Sequence, residues 1–173
     1  MLLIERPTPE EFAPYYGRYI DLVSGGDPLA ALREGGEETR RMLEPLPESR
    51  GDARYAPDKW SVKEVVAHLA DAERVFAYRA LRFARKDETP LPGFDQDLWI
   101  AGGAFAQRTL RSLVGELRAV RAASLALFEN LEQEAWRRIG TANDARMSVR
   151  AAAFAIAGHE IHHRRILRER YLG

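Results

Sequence analysis

The sequence contains no cysteine. Disulfides, thiolate metal ligands and a cysteine nucleophile are therefore all excluded, and any thiol chemistry must use a thiol from outside the chain. Lysine is nearly absent: only Lys59, Lys63 and Lys86 occur, and arginine supplies the rest of the positive charge. Basic and acidic residues balance at 26 each. That leaves none of the basic excess with which nucleic-acid binders neutralise phosphates, so no nucleic-acid partner is expected. No apolar run approaches the length of a membrane span. Met1–Ile4 is apolar, but Glu5, Arg6 and Pro7 end it too soon for a signal sequence, so a cytoplasmic protein away from membranes is expected.

Histidine is scarce as well, and its placement is the most informative feature. Of the four, His159, His162 and His163 fall within five residues, and His68 lies about ninety residues upstream. The apolar pattern is helical nearly throughout, with no strand-like alternation. Residues 8 to 24 open like a helix, with Thr8-Pro9-Glu10-Glu11, and Gly25-Gly26-Asp27-Pro28 breaks it. A second helix is expected from Pro28 to Glu44, with Gly35-Gly36 marking a kink or a close helix contact. Residues 47 to 60 read as a loop. Ser61-Val62-Lys63-Glu64 is a capping box starting a helix to about Arg85, on which His68 borders the apolar stripe. Residues 86 to 106 read as a long crossover, and Gln107 to Leu131 as an amphipathic helix. A loop follows through Gly140-Thr141-Ala142-Asn143-Asp144, and the last helix starts near Ser148. Four principal helices joined by one long crossover make an all-α four-helix bundle, a single domain over residues 1–173.

On the last helix the core steps through Val149, Ala152, Ile156, His159, His163 and Ile166. His159 and His163, four apart, share one face, the spacing by which one helix gives two imidazoles to one metal. Buried imidazoles without partners cost roughly 1–3 kcal/mol each, and a shared metal removes that cost. His68 is the histidine available as a third ligand, so His68, His159 and His163 form the candidate metal site. His162 sits beside the stripe. It is a ligand in place of His163, a group that orients one, or a surface residue. The run also matches H-E-x-x-H, the zinc protease signature, but only ten residues follow His163 and none is histidine, so a protease is not expected. Asp71, one turn from His68, is a candidate to orient its free ring nitrogen, or lies on a solvated face. Glu160 is a candidate catalytic base, or a surface residue paired with Arg164.

These residues carry a family likeness. Trp60-Ser61-Val62-Lys63-Glu64-Val65-Val66-Ala67-His68-Leu69-Ala70-Asp71-Ala72-Glu73-Arg74 resembles the second-helix signature of the DinB-like superfamily. Gly158-His159-Glu160-Ile161-His162-His163 resembles its last-helix signature. Leu91-Pro92-Gly93-Phe94-Asp95-Gln96-Asp97 looks like the crossover of one branch, and Tyr55-Ala56-Pro57-Asp58-Lys59-Trp60 like its lead-in. The resemblance covers essentially the whole chain. It implies the four-helix bundle shared with bacillithiol transferases and mycothiol-dependent maleylpyruvate isomerases, a divalent metal (zinc or nickel) on His68, His159 and His163, and a homodimer. The reading that follows is a metal-dependent transferase using an external low-molecular-weight thiol and a small-molecule substrate. Arg74 and Arg164 are candidates to hold the thiol's carboxylates. The alternatives are a metal-dependent hydrolase and a non-catalytic metal-binding or stress-response module.

Overall fold

The structure, a computed structural model, describes residues 4–173; Met1, Leu2 and Leu3 of the apolar start lie outside them. Six α-helices follow in chain order: α1 (Gly17–Ile20), α2 (Pro28–Leu43), α3 (Val62–Ala84), α4 (Gln96–Gly102), α5 (Leu110–Glu129) and α6 (Val149–Ile166). Four of them, α2, α3, α5 and α6, form the bundle. Both α2 and α3 pack on α5 and α6, so the chain-consecutive helices α2 and α3 sit diagonally. None of the helices among the described residues is long and apolar enough to cross a membrane.

Side chains close the helix starts. Asp27 accepts from Leu29 N (2.9 Å) ahead of Pro28, which needs no donor at that position. Ser61 and Glu64 form the reciprocal box expected from the sequence: Glu64 N donates to Ser61 Oγ (3.2 Å) and Ser61 N to Glu64 Oε2 (2.6 Å). Thr109 caps α5 and Ser148 caps α6. Past Ile166 the last helix widens into a π-helical turn, Leu167–Tyr171, from which the Tyr171 hydroxyl donates to Trp60 O (2.6 Å).

Two expectations are corrected. Residues 8–24 are not one helix but two 3-10 turns, Pro9–Glu11 and Pro14–Tyr16, followed by four-residue α1. Pro14 forbids a helical Ala13, which is extended, and lacks the donor a continuous helix would need. The segment after α5 is not only loop. Ile139–Ala142 (β1) and Ala145–Ser148 (β2) pair as an antiparallel hairpin. Asn143 and Asp144 both have positive φ (53° and 57°), the turn that suits such a hairpin.

The alanine-rich run Ala151–Ala157 is buried on every side, which lets α6 sit closely against α1, α2 and α3. Two glycines serve this packing. α2 runs unbroken through Gly35, where an added Cβ would lie 2.7 Å from Glu160 Oε2. At Gly158 an added Cβ would meet the carbonyl oxygen of Tyr19 at 1.9 Å, so only glycine lets the backbone of α1 rest on α6.

Candidate metal centre

Three imidazoles converge where α3 meets α6. His68 Nε2 lies 3.0 Å from His159 Nε2, and His163 Nε2 lies 3.1 Å from the same atom. One ligand atom from each of the three falls within 4.8 Å of those of the others. A tetrahedral ion with bonds of about 2.0–2.1 Å separates its ligands by roughly 3.3 Å, so these nitrogens need to open only slightly to hold one. The donor set, three imidazole nitrogens without thiolate, is one that divalent transition metals accept.

The environment favours the ligating form. Burial pushes His68 down to about 4. Burial, reinforced by the charges of His68, His162 and Arg18, pushes His163 down to about 3. His159 is held well below its ordinary value by burial first and then by His163, His68, His162 and Arg18. Neutral imidazoles are what a metal requires. Packing fixes the rings: the Trp60 indole lies 4.8 Å from the His68 ring, and Tyr19 meets His159 edge-on at 5.1 Å. The close approach at Gly158 is what places Tyr19 there.

His68 and His159 form part of the wall of a cleft of about 300 Å³. Its other walls come from segments distant in sequence: Tyr15, Tyr16 and Tyr19 from the first turns and α1, Ala72 and Phe76 from α3, Phe94 and Gln96 from the crossover, and Asn143 from the hairpin. The crossover is pinned there because Leu91 N donates to Thr141 O and Asn143 N to Leu91 O, both at 2.9 Å. The cleft is thus lined largely by aromatic rings, with two amides, Gln96 and Asn143, and no acidic residue.

The other sequence candidates lie elsewhere. Glu160, one residue and about 100° around α6 from His159, points away from the cleft. It is 1% exposed and accepts from Thr39 Oγ1 (2.8 Å) and Arg121 Nη1 (2.8 Å). Arg121 also grips Glu73 with two bonds (2.9 and 2.8 Å) and donates to Leu32 O (2.6 Å). One knot therefore joins α2, α3, α5 and α6. Arg164 is not the surface partner of Glu160 expected from spacing; it donates to Gly35 O (3.3 Å) and pairs with Glu38 (2.9 Å). Asp71 accepts from Arg74 (3.2 Å), not from His68, and burial, opposed by Arg74, pushes its carboxyl up. Arg74 reaches across to Glu116 of α5 (2.6 Å). Neither Arg74 nor Arg164 lines the histidine cleft. His162 is half-buried, edge-on to Tyr19 at 5.5 Å and to His163 at 5.1 Å, and outside the converging set.

Sequence reasoning passed over Arg18, the three tyrosines, Glu73 and Arg121. Two signals were nonetheless present. Tyr15 and Tyr19 are four apart, around a lone arginine. Arg121 interrupts the apolar stepping of α5 with a cation, which a core position tolerates only with anions facing it.

A family model described as the DinB superfamily matches residues 31–167. The chain belongs to the DinB superfamily. Solved structures agree on the fold. YfiT from Bacillus subtilis, described as a probable metal-dependent hydrolase with an unusual four-helix bundle topology, superposes with a TM-score of 0.71 at 20% identity, over 95% of this chain and 93% of that one. The mycothiol-dependent maleylpyruvate isomerase superposes with a TM-score of 0.65 at 15% identity, over 79% of this chain, which spans 57% of the isomerase's length. A histidine-to-alanine variant of the isomerase gives the same values. No curated protein matches this DinB chain significantly in sequence.

Proposed function

We propose that this DinB protein is a divalent-metal-dependent transferase that presents an external low-molecular-weight thiol to an electrophilic small molecule. The observation that carries the reading is the convergence of three neutral imidazole nitrogens at the wall of an aromatic cleft. A zinc or nickel ion there would supply Lewis acidity, lowering the pKa of a thiol or water brought to it. The protein's own residues do the rest. His68, His159 and His163 hold the ion, and three protein ligands rather than four leave a position for an exchangeable one. Trp60 and Tyr19 keep the rings in place. Tyr16 and Phe76, edge-on at 5.5 Å, form an apolar wall that packs the electrophile and limits water. The chain has no cysteine, so the sulfur nucleophile comes from outside. Glu160, the carboxylate nearest the histidines in sequence, is held by Arg121 and Thr39 and is not free to take a proton.

The second reading is a metal-dependent hydrolase. It is supported by the likeness to YfiT across nearly the full length of both chains. Against it stands the lack of an acidic cleft residue to accept a proton from attacking water. Elemental analysis of untagged protein, followed by turnover with and without added thiols on a panel of electrophiles, separates the readings. Turnover only with thiol supports the transferase, and equal turnover without it supports the hydrolase. Stoichiometric metal without turnover of either kind leaves a binding module.

A homodimer belongs to the same proposal. The large apolar residues of α5 are buried or half-buried against the core, whereas α4 presents Leu98 (70% exposed) and Trp99 (45%) outward. Light scattering should give a dimer mass, and Trp99→Glu should lower it to that of a monomer.

A further inference from the structure

Among the described residues 13 of the 26 arginines and lysines pair with a carboxylate, and Arg18 is one of those that do not. Among the described residues no carboxylate lies within ion-pair reach of it (4.0 Å), and its one polar partner is a phenol, Tyr19 Oη, at 2.7 Å. The guanidinium carbon lies over aromatic rings, 3.9 Å from the Tyr15 ring centroid and 4.7 Å from that of Tyr19. Both tyrosines line the histidine cleft, and the Tyr19 ring packs against both Arg18 and His159. The charge is close enough to act on His159, His162 and His163. The side chain is otherwise exposed, leaving most of its N–H groups free. Arg18 is not itself a lining residue; it lies against two that are, with no anion of its own, beside a lining that carries no other charged side chain while the histidines are neutral, and so it can receive an anion at the tyrosine edge.

We propose that Arg18 is the anion-recognition residue of this cleft, and that the molecule brought to the histidines carries a carboxylate paired with its guanidinium. This rests on the metal-and-thiol reading above. It places recognition at the tyrosine rim rather than at Arg74 or Arg164. Arg74 is engaged by Asp71 and Glu116, and Arg164 by Glu38. A planar guanidinium offers a carboxylate two parallel bonds. The cleft, about 300 Å³, is at the small end for a ligand site and suits a compact molecule.

The test uses the full chain loaded with cobalt(II), whose charge-transfer band reports thiolate binding without requiring turnover. Wild type and Arg18→Met are titrated with 3-mercaptopropionate and with neutral 2-mercaptoethanol. In wild type the carboxylated thiol should bind about ten- to a hundredfold more tightly relative to the neutral one than it does in Arg18→Met, the span of a charge-assisted hydrogen bond. Cobalt content should stay at one ion per chain in both. Arg18→Lys should recover part of the preference, since an ammonium keeps the charge but not the fork. Arg18→Gln, a second neutral variant, should behave like Arg18→Met, which guards against disturbance of the tyrosine stack. The same ratio of affinities in wild type and both neutral variants overturns the assignment of Arg18 while leaving the metal site standing. A wild type that takes up no cobalt, or whose spectrum ignores both thiols, overturns the metal-and-thiol reading and this inference with it.

Discussion

His159 and Glu160 are consecutive on α6, yet they face opposite kinds of surroundings. Around His159 the polar atoms are three ring nitrogens turned toward one another, bounded by aromatic rings, with no carboxylate among the residues lining the cleft. Around Glu160 the polar groups are matched: a threonine hydroxyl and Arg121, which in turn holds Glu73 and a backbone carbonyl. Both clusters are buried and both join α3 to α6. The difference lies in completeness. The glutamate cluster is paired within itself and ties four helices together, although Thr39, Arg121 and Glu160 also border a cleft of about 300 Å³ of their own. The histidine cluster has donors aimed at a common point and a cleft leading to it. A polar group left unfinished next to a cavity points to function more sharply than burial or charge alone.

Replacing His159 should break the comparison most strongly. His159→Ala removes the nitrogen common to both short contacts and should abolish stoichiometric metal. The loss should exceed the ~10–100-fold typical of losing an outer partner of a ligand. Elemental analysis and zinc competition would check this, and one tightly bound ion in the variant would refute the site. Arg121→Met attacks the opposite cluster. It leaves two buried carboxylates facing each other, and a loss of about 3–5 kcal/mol of unfolding free energy is expected from denaturant melts. An unchanged midpoint would mean that water already satisfies Glu73 and Glu160. Gly35→Ala should cost less, roughly 1–3 kcal/mol by overpacking against the Glu160 carboxylate.

A third buried charge tests the scaffold through pH. Glu11 pairs with Arg150 (2.8 Å). Burial raises its carboxyl, but hydrogen bonds from Arg150, Ser148 and Thr8 outweigh that and leave it at about 2, below the ordinary 4.5. A lowered folded value means stability that is full above pH ~4.5 and is lost as pH falls toward 2. Arg150→Met should flatten that part of the melting-temperature profile. The smallest effect is expected for His162→Ala, which should leave metal content within error, because its ring faces Tyr19 rather than the converging nitrogens.

The contrast also explains which parts were legible in the sequence. The four long helices could be read because apolar stepping, capping boxes and prolines act within a few residues. The three histidines could be paired because i, i+4 on one helix is a local geometry and only one distant histidine remained. Glu160 misled for the same reason. Spacing offered it Arg164 on its own helix, but its partners, Arg121 and Thr39, come from two others. Arg18 and the tyrosines reach the site through α1, whose docking on α6 no local pattern announces. The hairpin was missed because its strands are four residues each, too short for alternation to show, although Asn143-Asp144 is a turn signal.

Gly158 extends this last point beyond the present chain. The carbonyl of Tyr19 occupies the place where any side chain at 158 would begin, so the two positions behave as the halves of one joint. A relative with alanine or a larger residue there cannot seat its first short helix as this chain does. Its tyrosine wall would stand off or be missing, and its cleft would be wider on that side. The residue aligned with Gly158 should therefore sort DinB proteins by the size of molecule they admit: glycine in those with a narrow, walled cleft, and larger residues in those that accept bulkier substrates.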